Sequence, residues 1–138
     1  IWVILFRRAM IKLSTLIANQ IKAPALISGE SIGQVASQTL SNIRATSDAT
    51  NLPIIRPLAG SNKEDIIYIA EKIGTYNISV EPYDDCCSFF IPTHPETKAD
   101  LKYVQKIESQ INLEELYSEA LDNSELINIK YPQYYNKN

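Results

Sequence analysis

Along the chain, stretches with apolar residues every third or fourth position alternate with short apolar runs. Residues 1–6, IWVILF, are a continuous apolar run that reads as a strand or as the first turns of a helix. From 7 to 22 the spacing is helical, with Met10, Leu13, Leu16, Ile17 and Ile21 on one stripe. APALIS, at 23–28, reads as a short buried strand closed by Gly29. Helical spacing returns over 31–44 through Ile32, Val35, Ala36, Leu40 and Ile43. LPIIRPL, at 52–58, is a second strand, its ladder confined to 54–56 because Pro53 and Pro57 cannot donate to it. A third helix opens on an S-x-x-E capping box, Ser61 and Glu64. It carries Ile66, Ile69, Ala70 and Ile73, and stops at Gly74. YNISVEP, at 76–82, reads as a third strand, and 97–110 and 113–128 read as two closing helices. The tail YPQYYNKN has no pattern.

This alternation predicts an α/β protein, a parallel sheet with helices on its faces. Ligands of such sheets sit at the carboxyl ends of the strands. One candidate site falls there, SGESIGQVASQ at 28–38. Gly29 stands at the strand end, where a missing Cβ lets a ligand reach the backbone. Gly33 falls in the first turn of the expected helix, whose free N–H groups suit a phosphate or a nucleotide edge. Gln34 and Gln38 are four apart on that helix, and a Gln amide can both donate to and accept from adenine. The plainer alternative is local. Ser31 and Gln34 form an S-x-x-Q capping box, and Gly33 serves close packing.

Composition narrows the class. The 138 residues are 45% hydrophobic and 21% charged, with a formal net charge of −3. One globular domain fits, and a chain of this size buries about two-thirds of its unfolded surface. Nucleic-acid binders that act alone are usually basic, so any phosphate grip on RNA must lie mainly elsewhere. IWVILF ends at Arg7 and Arg8, far short of the ~20 apolar residues of a membrane span. No membrane partner is expected. The chain starts at Ile1 with no signal peptide and no initiator Met, which suggests a piece of a longer protein.

The second candidate site is DDCCSFFIPTH, at 84–94, which holds both cysteines and the single histidine. Adjacent cysteines bridge only through a strained ring. A reducing, cytoplasmic setting suits them better. Asp84 and Asp85 would raise a neighbouring thiol pKa, and only a cation or a helix N-terminus would reverse that. Cys86, Cys87 and His94 lack the spacing of a zinc site, so no metal is assigned to them. The pair is either reactive or a packed small hydrophobe. His94 reads as a loop residue without a direct role. Arg7 and Arg8 are either a solvated helix face or present one guanidinium to phosphate.

Three segments in order, SGESIGQVASQTLSNI, IIRPLAGSNKEDIIYIAEKIGTY and PYDDCCSFFIPTHPETKA, resemble the C-terminal part of the PP-loop domain of the tRNA 4-thiouridine synthetase (ThiI) family. The resemblance spans residues 7 to about 100 and continues more weakly through the last helices. It implies a three-layer adenine nucleotide alpha-hydrolase fold. It also implies ATP, with Mg2+, used to adenylate the C4 oxygen of a tRNA uridine, and a cysteine persulfide whose sulfur displaces AMP. Adenylation turns a poor leaving group into a good one, and a persulfide supplies a soft nucleophile. The positions that carry over are Arg7, Gly29 and Gln38 for the nucleotide and Cys86 for the sulfur, with Cys87 as the second thiol of the D-C-C variant. The resemblance further implies tRNA and a cysteine desulfurase as partners, allows a homodimer, and includes sulfur supply for the thiazole of thiamine.

Departures from the family pattern matter as well. The S-G-G-x-D-S phosphate loop and the THUMP and ferredoxin-like segments are absent from residues 1–138, and Ser28 stands where Thr is usual. No rhodanese-like segment follows, which suggests direct delivery of sulfur to Cys86. The chain is therefore expected to be the C-terminal portion of one PP-loop domain, weak in ATP binding by itself. Two alternatives remain: a PP-loop enzyme that transfers nitrogen and needs no thiol, and a non-catalytic docking module for a cysteine desulfurase.

Overall fold

The computed structural model describes residues 1–83 and 95–128. Helix α1 spans Trp2–Gln20, so the opening apolar run is the start of a helix. It ends where Lys22 turns left-handed (φ 58°) and the Ala23 N–H reaches back to the Ala18 carbonyl at 2.8 Å. Strand β1 is Leu26–Ile27 and β2 is Ile54–Ile55. They pair in parallel, Leu26 opposite Ile54 and Ile27 opposite Ile55. The ladder between the two prolines is thus as short as their missing N–H groups require. Between the strands lie a 3-10 turn, Ala36–Gln38, and helix α2, Leu40–Ser47. After β2 come α3 (Lys63–Lys72), α4 (Tyr76–Ser79), α5 (Leu101–Glu108) and α6 (Glu114–Asp122).

Helices α1, α2 and α5 pack against one another, and α1 also packs on β1. Their junction is the core: Ile4, Leu5, Ala45 and Val104 are buried, with Ile1, Ala99, Leu101 and Ile107 around them. Each strand keeps one half-buried and one exposed residue, and Ile27 is 76% exposed. APALIS is therefore not a fully buried strand. A short apolar run cannot show whether one face or both will be covered.

Several expected elements differ. The span 76–82 is helical at Tyr76–Ser79, where a strand was expected. Its Val and Ile favour strands only when a partner strand is at hand. The expected helix at 31–44 does not start until Leu40. Gly33, at φ 78°, lies in a non-helical turn that only glycine adopts cheaply. The Ser31–Gln34 capping box therefore does not form, and Gln34 is exposed. In its place, Thr39 caps α2 by accepting from the Asn42 N–H at 3.2 Å. The third helix is capped one residue later than expected, by Asn62 and Asp65. Gly74 does supply its left-handed stop (φ 77°). The closing helices are shorter than 97–110 and 113–128.

The buried side of α1 is also displaced. Ile4, Leu5, Arg8 and Ala18 face inward, while Met10, Leu16, Ile17 and Ile21 of the expected stripe are exposed. An apolar count cannot place Arg8 in the interior, where its bonds to Glu108 and Asp48 hold it.

Candidate nucleotide site

The carboxyl end of β1 continues through Ser28, Gly29 and Glu30. Gly29 borders open space, since a Cβ there would meet nothing within 4 Å. Glu30 is buried, at 5% exposure. A buried carboxylate must be paired, and this one is paired twice. One oxygen accepts from Arg7 of α1, and the other accepts from Arg56 Nε, just beyond β2, at 2.6 Å. That second oxygen also accepts from the Ser28 hydroxyl at 3.0 Å, and the Glu30 N–H donates back to Ser28 Oγ at 3.3 Å. Arg56 extends the network to α2 by donating to Ser47 Oγ at 2.7 Å. Burial lowers the pKa of its guanidinium.

Side chains also fix the turn that follows. The Ser31 N–H donates to Gln38 Oε1 at 2.8 Å, and the Ser31 hydroxyl donates to the Ser61 carbonyl at 2.7 Å. The Gly33 N–H donates to the Gln38 carbonyl at 3.1 Å. Arg7 Nη1 donates to the Ser37 carbonyl at 2.8 Å, so α1 is tied to the residue beside Gln38. A cavity of about 370 Å³ opens here, lined by Arg7, Ser28, Gly29 and Glu30 on one side and by Met10 and Ile11 among its apolar walls. Three of the expected nucleotide residues, Arg7, Gly29 and Gln38, thus gather at one strand end. An apolar wall beside a cationic edge suits a base with an attached phosphate.

Cys86, Cys87 and His94 lie outside the described residues. The chain just after them is described and is held at the same end of the molecule. Asn42, fully buried, donates from Nδ2 to the Ala36 and Glu96 carbonyls at 3.1 and 2.7 Å, and its Oδ1 accepts from the Ala99 N–H at 3.0 Å. The Thr39 hydroxyl donates to the Thr97 carbonyl at 2.7 Å. Residues 96–99 are therefore stapled to the start of α2, next to the turn that carries Gln38.

The two neighbouring arginines of α1 do different work. Arg7 reaches the strand end. Arg8, 3% exposed, braces the core. It donates to Glu108 at 2.8 and 3.1 Å, to Asp48 at 3.2 Å, and to the Ala45 carbonyl. Lys12 meets Glu108 at 3.0 Å. The solvated-face reading of this pair is therefore wrong for Arg8, whose charge is buried and neutralised. Burial is the largest single effect on Arg8 and on Glu108 and works against both charges, but the hydrogen bonds and charges of their partners, Asp48 and Lys12 included, together outweigh it. The Arg8 pKa is raised and that of Glu108 is lowered. The Asp48 pKa is lowered chiefly by the Gln105 amide and then by Arg8. Burial first, and then the charges of Glu108 and Glu114, push Tyr117 up.

Lowered carboxylate pKa values stabilise the fold above the ordinary carboxylate range, and that contribution is lost as pH falls through the lowered values. Stability is thus expected to decline as the pH drops through about 4, read from urea midpoints across pH. Glu108→Gln should flatten that decline.

Glu30, Arg56 and Asn42 were not among the expected site residues. An acid directly after a strand-end glycine was the one visible signal for Glu30. Nothing local marks Asn42 as a staple, because the segment it holds, at Glu96 and Ala99, is 54 and 57 residues away.

Residues 1–113 match the family model described as thiamine biosynthesis protein (ThiI). Curated relatives described as probable tRNA sulfurtransferases include those of Acetivibrio thermocellus, 46% identical over 126 residues, and Coxiella burnetii, 49% identical over 129 residues. These alignments cover 91% and 94% of this chain but 32% and 33% of the relatives. A solved 4-thiouridine synthetase–RNA complex with bound ATP superposes with a TM-score of 0.81 at 43% identity, over 88% of this chain and 32% of that one. The chain belongs to the ThiI family, and it spans about a third of the length of the relatives it matches. No helix among the described residues is long and apolar enough to cross a membrane.

Proposed function

We propose that this chain is the C-terminal portion of the PP-loop domain of an ATP-dependent tRNA uracil 4-sulfurtransferase. The observation that carries the reading is its likeness, at 43% identity, to a 4-thiouridine synthetase whose solved complex holds RNA and ATP. The convergence of Arg7, Gly29 and Gln38 on the carboxyl end of β1 supports it. In this reading the two-stranded sheet is part of a larger three-layer α/β sheet. Arg7 steadies phosphate, Gly29 lets the nucleotide approach the backbone, and Gln38 shapes the turn against it.

ATP adenylates the C4 oxygen of a tRNA uridine and releases pyrophosphate. The terminal sulfur of a persulfide on Cys86 then attacks C4, and AMP leaves with the C–O electron pair. A further thiol attacks the inner sulfur. The S–S electrons stay on the sulfur bound to the base, and a disulfide forms. Cys87 either takes part in that resolution with a thiol of another chain or packs beside Cys86. Mg2+ would travel with the triphosphate. The remaining assignments are tRNA as substrate, a cysteine desulfurase as sulfur source, a homodimer as assembly, a cytoplasmic setting, and sulfur supply to the thiazole of thiamine as a second duty.

The test is an assay of the full-length protein with tRNA, ATP and a persulfide donor. One AMP should appear for each 4-thiouridine. AMP formation with nitrogen and no sulfur in the product would favour the nitrogen-transferring alternative. Persulfide uptake without any use of ATP would favour the docking module.

A further inference from the structure

We infer that Glu30 is a positioning residue for nucleotide binding, acting through Arg7 without touching the nucleotide itself. The inference rests on the reading of Arg7 as a nucleotide contact. Its basis is the way three elements converge on one carboxylate. Arg7 comes from α1, Ser28 from the end of β1, and Arg56 from beyond β2. Glu30 is almost fully buried, and both of its oxygens already accept hydrogen bonds. That leaves it poorly placed to bind a ligand directly and well placed to hold its partners.

Arg7 is the cationic partner that lines the cavity, which Ser28 and Glu30 also border, and its side chain is 15% exposed. Its two terminal nitrogens are fixed separately, Nη2 by Glu30 and Nη1 by the Ser37 carbonyl. An unrestrained arginine gives up rotamer entropy when it binds. Fixing the fork beforehand removes that cost from binding, which is how preorganisation raises affinity. Arg56 holds Glu30 from behind. Its Nε takes one carboxylate oxygen, while Nη2 is anchored on Ser47. The Arg8–Glu108 brace secures the core elsewhere, so the Glu30 cluster is not needed to join α1 to α5.

Replacing Glu30 by Gln keeps the shape, removes the charge, and turns an amide donor toward one of the donors it now serves. In the full-length sulfurtransferase, Glu30→Gln should raise KM for ATP about tenfold, the effect of one charge-assisted hydrogen bond. The kcat and tRNA affinity should stay within about twofold, while the thermal midpoint falls, since the amide leaves Arg7 and Arg56 without their shared counter-charge. Glu30→Asp, which keeps the charge on a shorter arm, should recover part of the loss. If Glu30→Gln does not fold, Arg56→Gln serves in its place. Arg56 is not among the cavity-lining residues, yet its loss should raise KM for ATP in the same way. A KM within about twofold of wild type overturns the inference, as does a fall in kcat beyond that range. Wild-type protein that makes no 4-thiouridine from ATP would instead remove the underlying reading of the site.

Discussion

Cys86→Ala in the full-length protein is expected to abolish 4-thiouridine while leaving ATP and tRNA binding intact. The adenylated base is an electrophile, and the sulfur that attacks it must be delivered by a covalent carrier within reach. An alanine carries no persulfide, so the loss should be complete rather than partial. Adenylation does not need the thiol, so slow ATP turnover, by hydrolysis of the activated base, should persist. Product is measured by mass spectrometry of digested tRNA, and AMP by chromatography. Wild-type 4-thiouridine in this variant would remove Cys86 from the mechanism and favour chemistry that needs no thiol. Cys87→Ala is the companion, and its outcome shows whether the second thiol resolves the persulfide or only packs.

The second large effect is on stability. Arg8→Ala should cost about 3–5 kcal/mol, because removing one partner of a buried ion pair strands the others. Among the described residues, Glu108 would keep the part-exposed Lys12, Asp48 would keep the Gln105 amide and the charge of Lys12, and the Ala45 carbonyl would lose the Arg8 donor. Domains are typically stable by about 5–15 kcal/mol, so the variant would stand near the threshold of folding. The loss would be read as a fall in urea midpoint. Replacing Arg8 by Met and Glu108 by Leu together should recover the part of that loss that comes from stranding Glu108, since an apolar pair removes that buried charge, while Asp48 and the Ala45 carbonyl still lack the Arg8 donor. An Arg8→Ala midpoint equal to wild type would show that the brace is held by packing alone.

Much of this was legible in the sequence because it is local. The two prolines bounding 54–56 limited the β2 ladder. Gly74 marked the end of α3. The motifs around Gly29 and Cys86 carried the family. Residues 31–38 were misread because a capping signature and helical spacing coincide there with a turn that Gly33 and the Gln38 side chain hold open. The 76–82 segment was misread because strand propensity needs a neighbouring strand to express it. Arg8, Glu30 and Asn42 were invisible as functional or structural centres. Each acts through partners 23 or more residues away, apart from the contacts Glu30 makes with Ser28 and Asn42 with Ala36 and Thr39. A buried charge or amide is recognised only once its partners are known.

The central claim is that the nucleotide sits at the carboxyl end of β1, against the turn from Ser28 to Gln38. Amide hydrogen exchange of the full-length protein, with and without ATP, tests it most directly. Slower exchange in the peptide covering 28–38 on addition of ATP is the expected result. ATP binding at saturation with exchange there unchanged would contradict it.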